Sequence, residues 1–147
     1  MRVTVTKKFT FDAAHYLSGH EGKCAAMHGH TYILEVTVGA PGAPGAPGVP
    51  SLPFEEQLIH KGSSRGMVID FSHLKKLVEE RLLDRWDHKT INEVEGEDYQ
   101  PTAECMAHTA FWILRAALLP NYRLIKIRLW ETPTSYAEVT DPDARTS

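Results

Sequence analysis

Between positions 3 and 15 the apolar residues Val3, Val5, Phe9, Phe11 and Ala13 fall on odd numbers, and His15 closes the row. Successive side chains of a strand point to opposite faces, so this alternation predicts a strand with one buried face. A second strand is predicted from about His28 to Val38. There His28, His30, Tyr32, Leu34, Val36 and Val38 share one parity, with Glu35 and Thr37 on the other. The two segments are expected to pair as antiparallel neighbours. From Gly39 to Pro50 the chain reads GAPGAPGAPGVP, where proline withholds donors and glycine loosens the backbone. This predicts a loop insertion, continued to about residue 65 through Lys61, Gly62, Ser63 and Ser64.

The period then changes. After GMVIDF, Leu74, Leu77, Val78 and Leu82 recur at helical spacing, with Asp70 or Ser72 as the cap. A second helix is predicted after Pro101, capped by Thr102, with Met106, Ala110, Ile113 and Ala117 as its stripe and Pro120 with Asn121 as its stop. Leu124 to Glu131 and Tyr136 to Thr140 read as strands joined by a turn at Thr132, Pro133 and Thr134. The order ββααββ predicts one α+β domain over residues 1–147, a four-stranded antiparallel sheet with two helices on one face.

Composition narrows the partners. The 147 residues suit one domain, and 42% hydrophobic with 24% charged residues is the balance of a soluble globular protein. A net charge of -3 argues against a broad nucleic-acid footprint. No apolar run approaches the roughly 20 residues of a membrane span, and the N-terminus lacks the apolar block of a signal peptide. No membrane partner and a cytoplasmic location are therefore expected. Cys24 and Cys105 are expected as free thiols.

His28 and His30 are two apart, so an extended segment projects both imidazoles from one face, and His15 ends the neighbouring strand. Three nitrogen donors with a fourth position open is the catalytic form of Zn2+ coordination. An H-x-H pair by itself also fits two partly exposed strand histidines. Cys24, four residues before His28, either closes the metal site as a fourth ligand or works beside it as a base. Cys105, inside the second helix, reads as packing. Asp87 and His88 follow the first helix in LLDRWDHKTIN, read as a loop, and fit either a proton relay or a solvated turn. Glu131 shares the parity of Ile125, Ile127 and Leu129, where an unpaired carboxylate is costly. It calls for a neighbouring donor or a ligand bearing N–H groups.

The motifs FDAAHYL, GKCAAMHGHTY, GMVIDFSHLKKLV, WDHKTIN, PTAE and LWETPTSYAEV occur in order and span all but about residues 39–65. Together they resemble the 6-pyruvoyl-tetrahydropterin synthase and 6-carboxy-tetrahydropterin synthase family. The short AAM spacer between Cys24 and HGH favours the bacterial 6-carboxy branch of queuosine biosynthesis. The resemblance implies the tunnelling fold, in which ββααββ subunits join sheets into a barrel and two trimers stack into a homohexamer with active sites between subunits. It implies His15, His28 and His30 as Zn2+ ligands, Cys24 as base, Asp87 with His88 as relay, and Glu131 as the anchor of a pterin ring. Thr102 and Glu104 would line the same pocket.

The implied substrate is 7,8-dihydroneopterin triphosphate. The implied product is 6-carboxy-5,6,7,8-tetrahydropterin, with release of acetaldehyde and triphosphate and without nicotinamide or flavin. His20 and Lys23 are candidate triphosphate donors as well as ordinary surface residues. Two other readings stay open: a 6-pyruvoyl synthase that keeps the carbon chain, and a non-catalytic zinc or pterin-binding protein in which Cys24 closes the coordination sphere.

Overall fold

The computed structural model describes residues 2–40 and 52–142. Most of the Gly/Ala/Pro tract, residues 41–51, lies outside the described residues. Strands β1 (Thr4–His15) and β2 (His28–Gly39) pair antiparallel along their whole length, from Thr4 opposite Gly39 to His15 opposite His28. The parity read from the sequence is the packing seen for Phe9, Phe11, Ala13 and His15 on β1 and for Tyr32, Leu34, Val36 and Val38 on β2, whereas Thr37, on the other parity, is buried as well.

The sheet has five strands, not four, in the order β3-β1-β2-β4-β5. The addition is β3 (Lys89–Thr90), which lies parallel to β1 at Ala13 and Ala14. Two residues are too few to show an alternation, so no period could reveal it. Strands β4 (Arg123–Thr132) and β5 (Ser135–Thr140) complete the other side.

Helix α1 (Phe71–Val78) begins at Asp70, whose carboxylate accepts the Ser72 N–H at 2.8 Å. It runs through a π turn at Glu79–Leu83 into α2 (Asp84–Trp86). Leu74, Val78 and Leu82 are fully buried. At about 1.5–3 kcal/mol per buried side chain of this kind, they fasten the helix to the sheet. The segment read as a loop is instead structured: α2, β3 and α3 (Ile91–Glu95) follow one another almost without a break. Trp86 is fully buried, 6.0 Å from Phe11 between ring centroids, and so pins the start of this segment to β1.

Helix α4 (Ala103–Leu118) packs over β4 and β5 and is capped by Thr102, whose hydroxyl accepts the Cys105 N–H at 3.2 Å. Its buried face is Met106, Ala107, Ala110, Phe111, Leu114 and Leu118. Ile113 and Ala117 of the predicted stripe are only half-buried, because the buried stripe runs through Phe111, Leu114 and Leu118 instead. Cys105, read as packing, is exposed.

The described part of the excursion after β2 is tethered to the fold. Gln57, in a turn at Glu55–Gln57, is buried and accepts the Val3 N–H at 2.8 Å. Ile59 exchanges backbone hydrogen bonds of 2.8 Å with Gly66 and Met67. No described helix is long and apolar enough to cross a membrane.

Candidate functional site

Strand register assembles the histidines. His15 ends β1 opposite His28, which starts β2, and His30 lies opposite Ala13. The three rings stand edge to face with centroids 4.6–4.9 Å apart. His15 Nδ1 lies 2.7 Å from the Pro101 carbonyl, and His28 Nδ1 lies 2.7 Å from that of Ala26. A carbonyl only accepts, so both Nδ1 atoms carry the hydrogen and both Nε2 atoms carry lone pairs. Those two Nε2 atoms face each other at 3.0 Å. Two acceptors at that separation repel unless a cation lies between them.

His30 supplies the third donor. Its Nε2 is buried with no hydrogen-bond partner among the described residues, which costs about 1–3 kcal/mol while it stays unmet. One ligand atom from each histidine lies within 4.8 Å of the others. The donor set therefore fits a divalent metal that accepts imidazole nitrogen.

Burial holds the His15 pKa below its ordinary value, with His28 and His30 adding to it, against the opposing Pro101 bond and Glu131 charge. The ring is thus kept neutral, the form that binds metal. A histidine with a lowered folded pKa binds fewer protons folded than unfolded. Stability then rises with pH up to the unfolded value of about 6.5 and is lost as pH falls through that window. The thermal midpoint of the metal-free protein should drop between about pH 7 and pH 5. His15→Gln should flatten that slope; an unchanged slope would assign it to other groups.

Cys24 sits in a short turn, Lys23–Ala25, between β1 and β2. It is half-buried, and its carbonyl accepts the Leu17 N–H at 2.7 Å. The group within 4.8 Å holds three histidines and no sulfur among the described residues. His20 and Lys23 are exposed in the same connection, His20 Nδ1 accepting the Gly22 N–H at 2.9 Å.

Asp87 and His88 face each other although adjacent, because His88 takes a left-handed backbone conformation (φ 58°). His88 Nδ1 lies 2.9 Å from Asp87 Oδ1, which also accepts the Asp12 N–H at 3.0 Å. The Asp12 carbonyl in turn accepts the His88 N–H at 2.6 Å. Burial pushes the Asp87 carboxyl up, but the Asp12 N–H and His88 outweigh it and leave it below the usual carboxylate value. Asp12 was not marked by the sequence, since a charged residue on the polar parity of a strand reads as a solvent-facing one. Its carboxylate accepts the Thr31 hydroxyl. Asp12, His88, Lys89, Glu93 and His30 border an open cavity of about 700 Å³.

Glu131 owes its direction to a β-bulge. Trp130 is opposite Tyr136 and Thr132 opposite Ser135, which leaves Glu131 as the extra residue. A bulge re-aims a side chain. Glu131, Thr102 and Glu104 border one cavity of about 220 Å³, together with Leu17, Ser135 and Tyr136. Among the described residues the Glu131 carboxylate has no hydrogen-bond or ion-pair partner. Its charge opposes the lowering of the His15 pKa and adds to the raising of that of buried Tyr32, which burial raises first. Leu17, Ser135 and Tyr136 were missed: Leu17 lies in a connection that carries no period, and Ser135 and Tyr136 open β5, where exposure gives no sign of a cavity.

Residues 4–142 match the family model described as 6-pyruvoyl tetrahydropterin synthase. The 6-carboxy-5,6,7,8-tetrahydropterin synthase of Haemophilus influenzae is 36% identical over 153 aligned positions, covering 91% of this chain and 96% of that protein. The protein of the same name from Synechocystis is 34% identical, covering 94% and 93%. The structure of Caenorhabditis elegans 6-pyruvoyl tetrahydropterin synthase superposes with a TM-score of 0.70 at 23% identity, covering 96% of each chain, and shares the fold. The Plasmodium falciparum 6-pyruvoyl tetrahydropterin synthase superposes with a TM-score of 0.64 at 18% identity, covering 95% and 98%. The chain belongs to the 6-pyruvoyl tetrahydropterin synthase family, in the branch of its 6-carboxy-5,6,7,8-tetrahydropterin synthases.

Proposed function

We propose that this enzyme converts 7,8-dihydroneopterin triphosphate to 6-carboxy-5,6,7,8-tetrahydropterin, releasing acetaldehyde and triphosphate, with Zn2+ held by His15, His28 and His30. The observation that carries this reading is the pair of facing Nε2 lone pairs with His30 Nε2, orphaned among the described residues, together with a cavity bordered by the Glu131 carboxylate, which has no hydrogen-bond partner among them. A carboxylate of that kind suits the paired N–H groups on one edge of a pterin ring. Thr102 and Glu104 wall the same cavity. Bound Zn2+ would supply Lewis acidity toward the side-chain hydroxyls. Cys24 would take one proton from the side chain. Asp87 occupies His88 Nδ1, which leaves Nε2 as the nitrogen that exchanges protons with substrate.

Within one chain the ligand atoms of the histidine group and of the Asp87–His88 pair form two groups, although His30 and His88 border one open cavity. A homohexamer of two trimers, with each site shared between subunits, would bring one chain's pair to another chain's zinc. The place of this reaction is the cytoplasm, in queuosine biosynthesis. The relatives named 6-carboxy-5,6,7,8-tetrahydropterin synthase support that product over the pyruvoyl one.

Zinc-loaded protein incubated with dihydroneopterin triphosphate should yield one acetaldehyde per product, trapped as its hydrazone, and a carboxylated pterin by mass spectrometry. A product that keeps the three-carbon side chain, without acetaldehyde, would make the protein a pyruvoyl-forming enzyme. Full metal loading without turnover would favour a binding protein.

A further inference from the structure

We propose that Asn92 is a positioning residue for the metal centre, its buried amide holding the Tyr16 peptide and thereby setting His15 and Cys24. The inference rests on the metal site proposed above and concerns what keeps its ligands in place.

Strand β3 supplies only two residues to the edge of β1, opposite Ala13 and Ala14, before the chain turns into α3. The next part of the β1 edge has no strand beside it, yet buried backbone groups need partners. Asn92, 3% exposed, fills that position with a side chain. Its Oδ1 accepts the Tyr16 N–H at 3.0 Å, and its Nδ2 donates to the Tyr16 carbonyl at 2.9 Å. A carboxamide offers the same one acceptor and one donor side as a peptide, so Asn92 extends the ladder where the main chain has left it.

Tyr16 is the residue between two parts of the site. On one side is His15, whose ring direction follows from the backbone at the end of β1. On the other is Leu17, which borders the Glu131 cavity and donates its N–H to the Cys24 carbonyl at 2.7 Å. One amide thus fixes a metal ligand, a cavity wall and the turn that carries the thiol. It also joins them to the Asp87–His88 segment four residues upstream. Aspartate keeps the acceptor but cannot donate, and serine is too short to reach both groups.

The test measures metal, not turnover. Zinc affinity by chelator competition should fall about ten- to a hundredfold in Asn92→Ser, the range for residues that orient a ligand from behind. Leu114→Ala, a core variant far from the histidines in sequence, serves as the control for loss of stability alone and should keep wild-type affinity. Equal affinity in Asn92→Ser and wild type would overturn the proposal and leave the metal site standing. Equal losses in Asn92→Ser and Leu114→Ala would also overturn it, assigning Asn92 to stability. A wild-type chain that binds no zinc would overturn both readings together. A measurement without substitution covers the case in which Asn92→Ser does not fold. Zinc loading of wild type should slow exchange of the Tyr16 and Leu17 amide hydrogens at least about tenfold, and unchanged exchange would reject the coupling.

Discussion

His30→Ala is expected to lose its metal, with an affinity drop larger than the roughly 10- to 100-fold typical of residues behind a ligand. The reason lies in how differently the three rings are held. His15 and His28 each give Nδ1–H to a backbone carbonyl and stay oriented whether or not a metal is present. His30 Nε2 has no protein partner among the described residues, so the proposed metal would be its first. Removing it leaves two donors, too few for a tight site. Metal-free His30→Ala gives up some ring packing against His15 and Tyr32 but also sheds a buried unsatisfied nitrogen, and the two effects oppose each other. The metal-free thermal midpoints of variant and wild type should therefore lie close together. Adding zinc should separate them, because a ligand present at about 100 times its Kd stabilises the folded state by roughly 2.7 kcal/mol. Metal content by elemental analysis, with calorimetry at both zinc levels, checks this. One zinc per chain in the variant would remove His30 from the ligand set.

The histidine group was the most legible part of the site because it depends on strand parity and register. Once β1 and β2 pair antiparallel, a histidine at the end of one meets a histidine at the start of the other. Parity is written in the sequence and register follows from it. Glu131 was half legible. Its parity marked it as a carboxylate on an apolar face, but the bulge that turns it into the cavity depends on a mismatch between β4 and β5 that neither strand shows alone.

What stayed hidden was backbone chemistry. The Asp12 N–H and carbonyl bind Asp87 and His88, and the Pro101 and Ala26 carbonyls orient His15 and His28. Any residue type can supply a carbonyl, so such contacts leave no trace in residue identity. The same holds for β3, which exists because His88 turns the chain back onto β1. Asn92 was visible within WDHKTIN as a residue but not as a partner of Tyr16, 76 positions away.

Cys24→Ala is expected to retain zinc and lose about 10²- to 10⁴-fold in kcat, the range over which a positioned acid or base contributes. The two halves of this result rest on different atoms of one residue. The Cys24 carbonyl, not its thiol, holds the Leu17 N–H, and alanine preserves that bond. The segment from His15 to Leu17 should then keep its course, and the three nitrogens their spacing. The sulfur lies outside the group of ligand atoms within 4.8 Å, so its removal takes nothing from the metal. A four-ligand structural site predicts the reverse pattern, zinc loss in step with activity. KM separates a third case: if Cys24 only shaped the cavity, KM would rise while kcat held. Retained zinc and unchanged KM with a large fall in kcat would leave the thiol one role, proton transfer beside the metal. Full activity in Cys24→Ala would move that role to His88, whose Nε2 is the other nitrogen left free to exchange a proton.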